Sequence, residues 1–343
     1  MNDANNTKSI WLDAHLDLAY IALDRARNAP DLGIEPDPTR GCVSWQALQR
    51  GGVRGCFGTI FTEMGDPDHP CGYGDHEDRD GAHRAGLRQL ELYEDWERQG
   101  HLRIVRHAED LERAFTASGP LAVVLLMECA DPIRTPQEAE WWADRGVSMV
   151  GLSWGEGSRY SGGNARAGGL TAEGREFVAA LDDAGLAHDV SHLADQSVED
   201  LLGLARGPIA SSHSNARSLL PGSRSLTRHL DTDHAREIAA RDGVAGINLF
   251  TRFLVEDRRA EIDDVLAHVN ALAAVFGRDR LGLGSDMDGG FGPTALPVGL
   301  EGPDQLTPLA EALDSAGWSD LERRSFQSGA WRAFVGRIPR LNR

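Results

Sequence analysis

At 343 residues, 41% of them hydrophobic, the chain suits two average domains or one large α/β barrel, and no apolar run approaches the ~20 residues that span a bilayer. Asp plus Glu number 53 against 35 Lys plus Arg, a net charge of −18 that excludes nucleic acid and membrane surfaces as partners. Cys42, Cys56, Cys71 and Cys129 show no paired metal spacing and are too few for a disulfide framework, and residues 1–8 lack the features of a secretion signal, so a flexible tail and a cytoplasmic address are expected.

The stretch Ile10–Leu18 reads as a first strand, whose period-two alternation puts His15 and Asp17 on one face. A helix over 43–50 ends at Gly51 and Gly52, and 53–62 is a second strand. The polar segment 63–80 carries His69, Cys71 and His76; their spacing fits no closed zinc site, so it reads as a flexible active-site loop. Helices are predicted over 81–99 and 107–117, around a brief apolar segment at 102–106. Residues 121–127, Leu-Ala-Val-Val-Leu-Leu-Met, form a continuous apolar run expected of a strand buried on both faces, and it terminates in Glu128. Strands at 148–153, 187–191, 208–212, 244–249 and 281–285 then alternate with helices at 136–145, 172–184, 196–205, 232–241 and 262–276.

Eight strands with intervening helices predict a (β/α)8 TIM barrel, one domain over 9–343 finished by C-terminal helices. The alternative, a doubly wound open sheet, would carry a Gly-x-Gly-x-x-Gly fingerprint after its first strand, and none is there. The glycine-rich stretch 151–169 lacks that spacing and reads as a mobile loop.

Barrel active sites lie where the strands end. The residues found there are His15 and Asp17, Glu128, His192, His213 and Asp286, from five different strands. Imidazole and carboxylate suit Zn2+, Mn2+ or Fe2+, and this set is enough for two ions sharing a bridge. A carbamylated lysine bridges the metals in many barrel hydrolases, but the one lysine here is Lys8, upstream of the first strand. Glu128 is the available bridge.

These residues resemble the membrane dipeptidase (renal dipeptidase) family of the amidohydrolase superfamily. Asp13-Ala-His-Leu-Asp17 is similar to its first-strand motif and Leu126-Met-Glu128 to its bridging-glutamate strand. Asp189-Val-Ser-His192 and Ser211-Ser-His-Ser-Asn-Ala-Arg217 resemble its metal-histidine motifs, and Gly282-Leu-Gly-Ser-Asp-Met-Asp-Gly289 its last-strand motif. The resemblance implies a homodimeric two-zinc peptidase that acts on dipeptides, often with a D residue at the C-terminal position. It implies that His15 and Asp17 bind one zinc, His192 and His213 the other, and that Glu128 bridges. A bridging hydroxide would attack the amide, Asp286 would shuttle the proton, and Arg224 would hold the substrate carboxylate. Two departures stand out. Leu152-Ser-Trp154 replaces a Leu-Thr-His whose histidine touches the substrate, and Ala130 and Asp131 replace a Gly and a His. Losing one oxyanion donor costs ~3 kcal/mol of barrier; Arg159 and Tyr160 are the candidate replacements. The rival readings are a hydrolase of N-acyl amino acids or another small amide, with Trp154 as an apolar platform, and a metal-binding homologue without activity.

Overall fold

In the computed structural model, which describes residues 9–24, 32–116, 119–220, 222 and 226–343, eight parallel strands follow one another around a barrel. They are β1 (Trp11–Leu16), β2 (Val53–Phe61), β3 (Leu121–Glu128), β4 (Val147–Gly151), β5 (Ala187–Asp189), β6 (Ile209–Ala210), β7 (Ala245–Ile247) and β8 (Leu281–Leu283). β1 pairs with both β2 and β8, the latter at Asp13 opposite Leu283. β2 and β3 share the longest ladder, from Gly55 opposite Ala122 to Phe61 opposite Glu128. The ring closes between β6 and β7 through a single bridge, Ser211 to Ala245. The expected tail at 1–8 lies outside the described residues.

The apolar segment expected at 102–106 supplies an accessory strand, Leu102–Ile104, alongside the first three residues of β3. Several barrel strands are shorter than their apolar runs, because the chain turns where the polar residues begin: His192 and Asp286 adopt left-handed φ values of 67° and 61°. The glycine-rich stretch, read from the sequence as a loop between strand and helix, does connect β4 to the helix Ala172–Ala184 and holds an antiparallel hairpin, Ser161–Gly163 with Arg166–Leu170. Glycine is required there, since a Cβ on Gly163 would lie 2.1 Å from the Trp154 carbonyl oxygen. The 63–80 segment likewise carries a short ladder, Glu63–Met64 with Gly72–Tyr73.

Alternation along β3 divides the core. Val123, Leu125 and Met127 pack outward with helix residues such as Leu90, Trp142 and Phe177, while Ala122, Val124 and Leu126 face Leu12, Phe57 and Met149 inside the barrel. The helix Ala330–Val335 closes this inner cluster with Trp331 and Phe334, and the Trp331 indole N–H donates to the Leu283 carbonyl at 3.0 Å. Among the described residues no helix is long and apolar enough to cross a membrane.

Trp331 is fully buried, so Trp331→Ala removes a large inner side chain and leaves a cavity. The expected loss in chemical denaturation is about 3–5 kcal/mol. The exposed Leu321→Ala on the same C-terminal segment serves as the control and should stay within about 0.5 kcal/mol of wild type. Equal effects from the two substitutions would contradict the closing role given to Trp331.

Candidate metal centre

The buried run of β3 ends by presenting Glu128 at the barrel mouth, with its two oxygens turned to different partners. Oε2 lies 3.2 Å from His15 Nε2. Oε1 lies 3.0 Å from His192 Nε2 and 3.6 Å from His213 Nε2. Asp17 Oδ1 and Asp286 Oδ1 stand 3.7 and 3.9 Å from His15 Nε2. The groups that can hold a metal ion are therefore His15 with Asp17 and Glu128, Glu128 with His192 and His213, and His15 with His213 and Asp286. All five candidate ligands and Asp286 converge on one buried spot.

Neighbouring side chains orient these donors. Backbone close approach delivers His213: a Cβ on either Gly246 or Gly284 would lie 1.9 Å from the Ser212 carbonyl oxygen, so only glycine lets the Ser212–His213 segment pass there. Ser212 Oγ donates to Asp189 Oδ2 and sits 2.7 Å from His213 Nδ1, which must then carry its proton and leave Nε2 bare. His192 Nδ1 faces Asn164 Oδ1 at 3.2 Å, with the same result. Thr59 Oγ1 donates to Asp17, and Asn248 Nδ2 donates to Asp286 Oδ2 at 2.8 Å. Asp13, one residue from the cluster's first strand face, accepts from the backbone N–H groups of Ser285 and His15 and so laces β8 to β1.

The bare His192 and His213 Nε2 atoms stand only 2.9 Å apart, facing each other across Glu128. Two lone pairs at that distance, beside the Asp17, Glu128 and Asp286 carboxylates, form a site short of positive charge. Nitrogen and oxygen donors in this number fit divalent metal ions. The electrostatics agree. Burial works against charge on His15, yet Glu128, Asp17 and Asp286 push its pKa up to about 10. Burial lowers His192 to about 4, with Arg228 adding to the effect, and it lowers His213 as well. Burial above all pushes the Asp286 carboxyl up to about 7, with His15 opposing and Asp17 and Glu128 reinforcing the rise.

The predicted substrate contacts fare differently. Arg224 lies outside the described residues. Four positions on, Arg228 is buried beside the cluster: its guanidinium donates to the His213 carbonyl at 2.8 Å and to Ser214 Oγ at 3.1 Å and lies over the Phe253 ring. Its Nε–H is buried with no hydrogen-bond partner. Sequence reading passed over Arg228 and also Asn248; nothing in the composition of a polar loop marks Arg228 as a residue that turns inward. Trp154 stands at the mouth, 37% exposed, its ring 5.9 Å from His192. Arg159 is buried against Asp131, whose Oδ1 accepts from its backbone N–H at 3.1 Å. Tyr160 stacks on Phe177 at 4.3 Å and gives its hydroxyl to the Ile133 carbonyl. Asp288 accepts from the Cys42 and Val43 backbone N–H groups. His69, Cys71 and His76 join none of the candidate metal groups among the described residues.

Removing the shared carboxylate should cost the most. Glu128→Ala is expected to lower divalent metal content per chain, whereas Asp189→Asn, acting through Ser212, should weaken metal affinity by about 10–100-fold. Elemental analysis and chelator competition measure both. Full, tight metal loading in Glu128→Ala would refute the arrangement.

The model of the membrane dipeptidase family (peptidase family M19) matches residues 3–329. An uncharacterized dipeptidase of Schizosaccharomyces pombe is 27% identical over 316 residues, covering 88% of this chain and 74% of its own. An uncharacterized Klebsiella pneumoniae protein, from the region 5′ of pqqA, is 29% identical over 235 residues, covering 65% of this chain and 83% of its own. In fold, the chain is similar to a Rhodobacter sphaeroides metallo peptidase solved with a phosphinate mimic of the dipeptide L-Ala-D-Ala (TM-score 0.85, 24% identity, 96% and 99% of the two chains). It is also similar to the probable dipeptidase PvdM of Pseudomonas aeruginosa (TM-score 0.81, 18% identity, 97% and 96% of the two chains). With the family model matching nearly the whole chain over the barrel and its buried cluster, this protein belongs to the membrane dipeptidase family, peptidase family M19.

Proposed function

We propose that this metallo-dipeptidase cleaves the amide of dipeptides, including those with a D residue at the C-terminal position, with two zinc ions held by His15, Asp17, Glu128, His192 and His213. The observation that carries this reading is the Glu128 carboxylate, with one oxygen toward His15 and the other toward His192 and His213. When bound, such a metal pair activates water at neutral pH and polarises the carbonyl oxygen.

The chain's own residues do the rest. Asp286, held by Asn248 and pushed up to about 7 chiefly by burial, is poised to take a proton from the attacking water and return it to the leaving amine. Arg228, anchored on His213 and Ser214 with its Nε–H unpaired, receives the substrate carboxylate together with Arg224, to which the family resemblance gives that role. Trp154 contributes an apolar wall in place of the family histidine. Arg159 and Tyr160 hold the loop after β4 to Asp131 and Ile133, and so support that wall rather than touch substrate. The same reading makes the enzyme a cytoplasmic homodimer acting on small peptides.

The test is a panel of L,L and L,D dipeptides beside N-acetyl amino acids, assayed with zinc-loaded protein of known metal content. Cleavage of the dipeptides is expected; cleavage of the N-acetyl compounds alone would favour the rival amidohydrolase reading. Asp286→Asn should lower kcat by about 10²–10⁴-fold with metal content retained. Arg228→Lys should raise KM by roughly tenfold, since a paired charge contact is replaced by a poorer one. Full activity in Asp286→Asn would remove it from the proton path.

A further inference from the structure

Four aromatic rings run in an unbroken row from one side of the barrel mouth to the metal cluster. Tyr20, in the helix Leu18–Leu23 that follows β1, lies 5.3 Å from Phe61. Phe61, the last residue of β2, lies 5.5 Å from Trp154, and Trp154 lies 5.9 Å from His192. The far end of the row opens into a cavity of about 250 Å³ lined by Tyr20, Asp24, Thr39, Arg40, Asp288 and Phe291. Tyr20 is fixed at that end by its hydroxyl, which donates to Glu63 Oε2 at 2.9 Å.

Position around the ring assigns an occupant. In an eight-stranded barrel β2 and β6 lie on opposite sides. Arg228 belongs to the loop after β6, and Phe61 ends β2. A dipeptide whose carboxylate rests on Arg228, with its amide over the central cluster, extends its amino-terminal residue across the mouth toward Phe61. The surface it meets there is aromatic, and Trp154 is exposed although it is a large apolar side chain.

We propose that Tyr20, Phe61 and Trp154 form the subsite for the side chain of the amino-terminal residue, and that it selects an aromatic or large aliphatic one. This assignment rests on the dipeptidase reading above. Aromatic walls reward ring stacking and apolar burial, and a glycine at that position gains neither.

The experiment compares kcat/KM for Phe-Ala, Leu-Ala and Gly-Ala, and for the reversed pair Ala-Phe and Ala-Gly, on zinc-loaded wild type, Trp154→Ala and Phe61→Leu. Metal content is measured on every sample. In wild type the ratio of Phe-Ala to Gly-Ala should be about tenfold or more. That ratio should fall by about tenfold in Trp154→Ala and by a few-fold in Phe61→Leu, with the Ala-Phe to Ala-Gly ratio moving far less. A wild-type ratio near unity, or one that neither variant moves, overturns the subsite while leaving the dipeptidase reading intact. Variants that shift both pairs equally also overturn it, since the row would then not distinguish the two residues. No cleavage of any dipeptide by metal-loaded wild type overturns both.

Discussion

A single buried carboxylate organises this molecule. Glu128 sits with its two oxygens between His15 on one side and His192 and His213 on the other. Burial alone would raise its pKa, and the His15 and His192 imidazoles hold it far below the ordinary carboxylate range instead. An anion in that setting is tolerable only with compensating positive charge beside it, which His15, its pKa pushed up to about 10, supplies on one side. The histidines must therefore arrive from separate strands at one point, and the strand ends turn sharply to bring them. His192 and Asp286 occupy left-handed backbone, a conformation that costs a non-glycine residue ~1–3 kcal/mol and persists where the surroundings enforce it.

The surroundings enforce it through two layers. Below the site the barrel interior is apolar and is closed by Trp331 and Phe334, so the strands cannot slide without exposing that surface. Above it, hydrogen bonds tie strand ends to their neighbours: Asp13 joins β1 to Ser285 after β8, Asp189 joins β5 to Ser212 after β6, and the backbone N–H of Asn164 in the hairpin donates to the His192 carbonyl at 2.7 Å. The hairpin thus carries the loop after β4 across to a metal-ligand candidate, with Gly163 packed against the Trp154 carbonyl.

Charge and aromatic surface are distributed unequally around the mouth. The one arginine placed beside the cluster among the described residues, Arg228, rises from the β6 side and leans on Phe253. Tyr20, Phe61 and Trp154 occupy the other half. A small substrate with one charged end and one variable side chain meets a different chemistry in each half, which supplies orientation as well as affinity.

What the sequence determined is the barrel and which His, Asp and Glu side chains its strand ends bring together. Apolar runs that stop at His, Asp or Glu are visible without coordinates, because burial dictates both the run and the residue types that can end it at a site. Local periodicity also placed the helices at 172–184 and 262–276 where they are found. The tertiary structure alone decided three other matters. It turned Arg228 inward, because a short turn at Leu226–Arg228 and the Phe253 ring, supplied from after β7, fix that guanidinium; spacing within Ser223–Arg228 says nothing of this. It built a hairpin within the loop expected after the fourth strand, because the pairing depends on backbone approach to Trp154 and Leu193 rather than on any period in the glycines. It also aligned Tyr20 from the helix after β1, Phe61 at the end of β2 and Trp154 from beyond β4, residues that become neighbours only when the sheet curves closed. Contacts of that kind depend on the closure of the ring, and no window along the chain contains it.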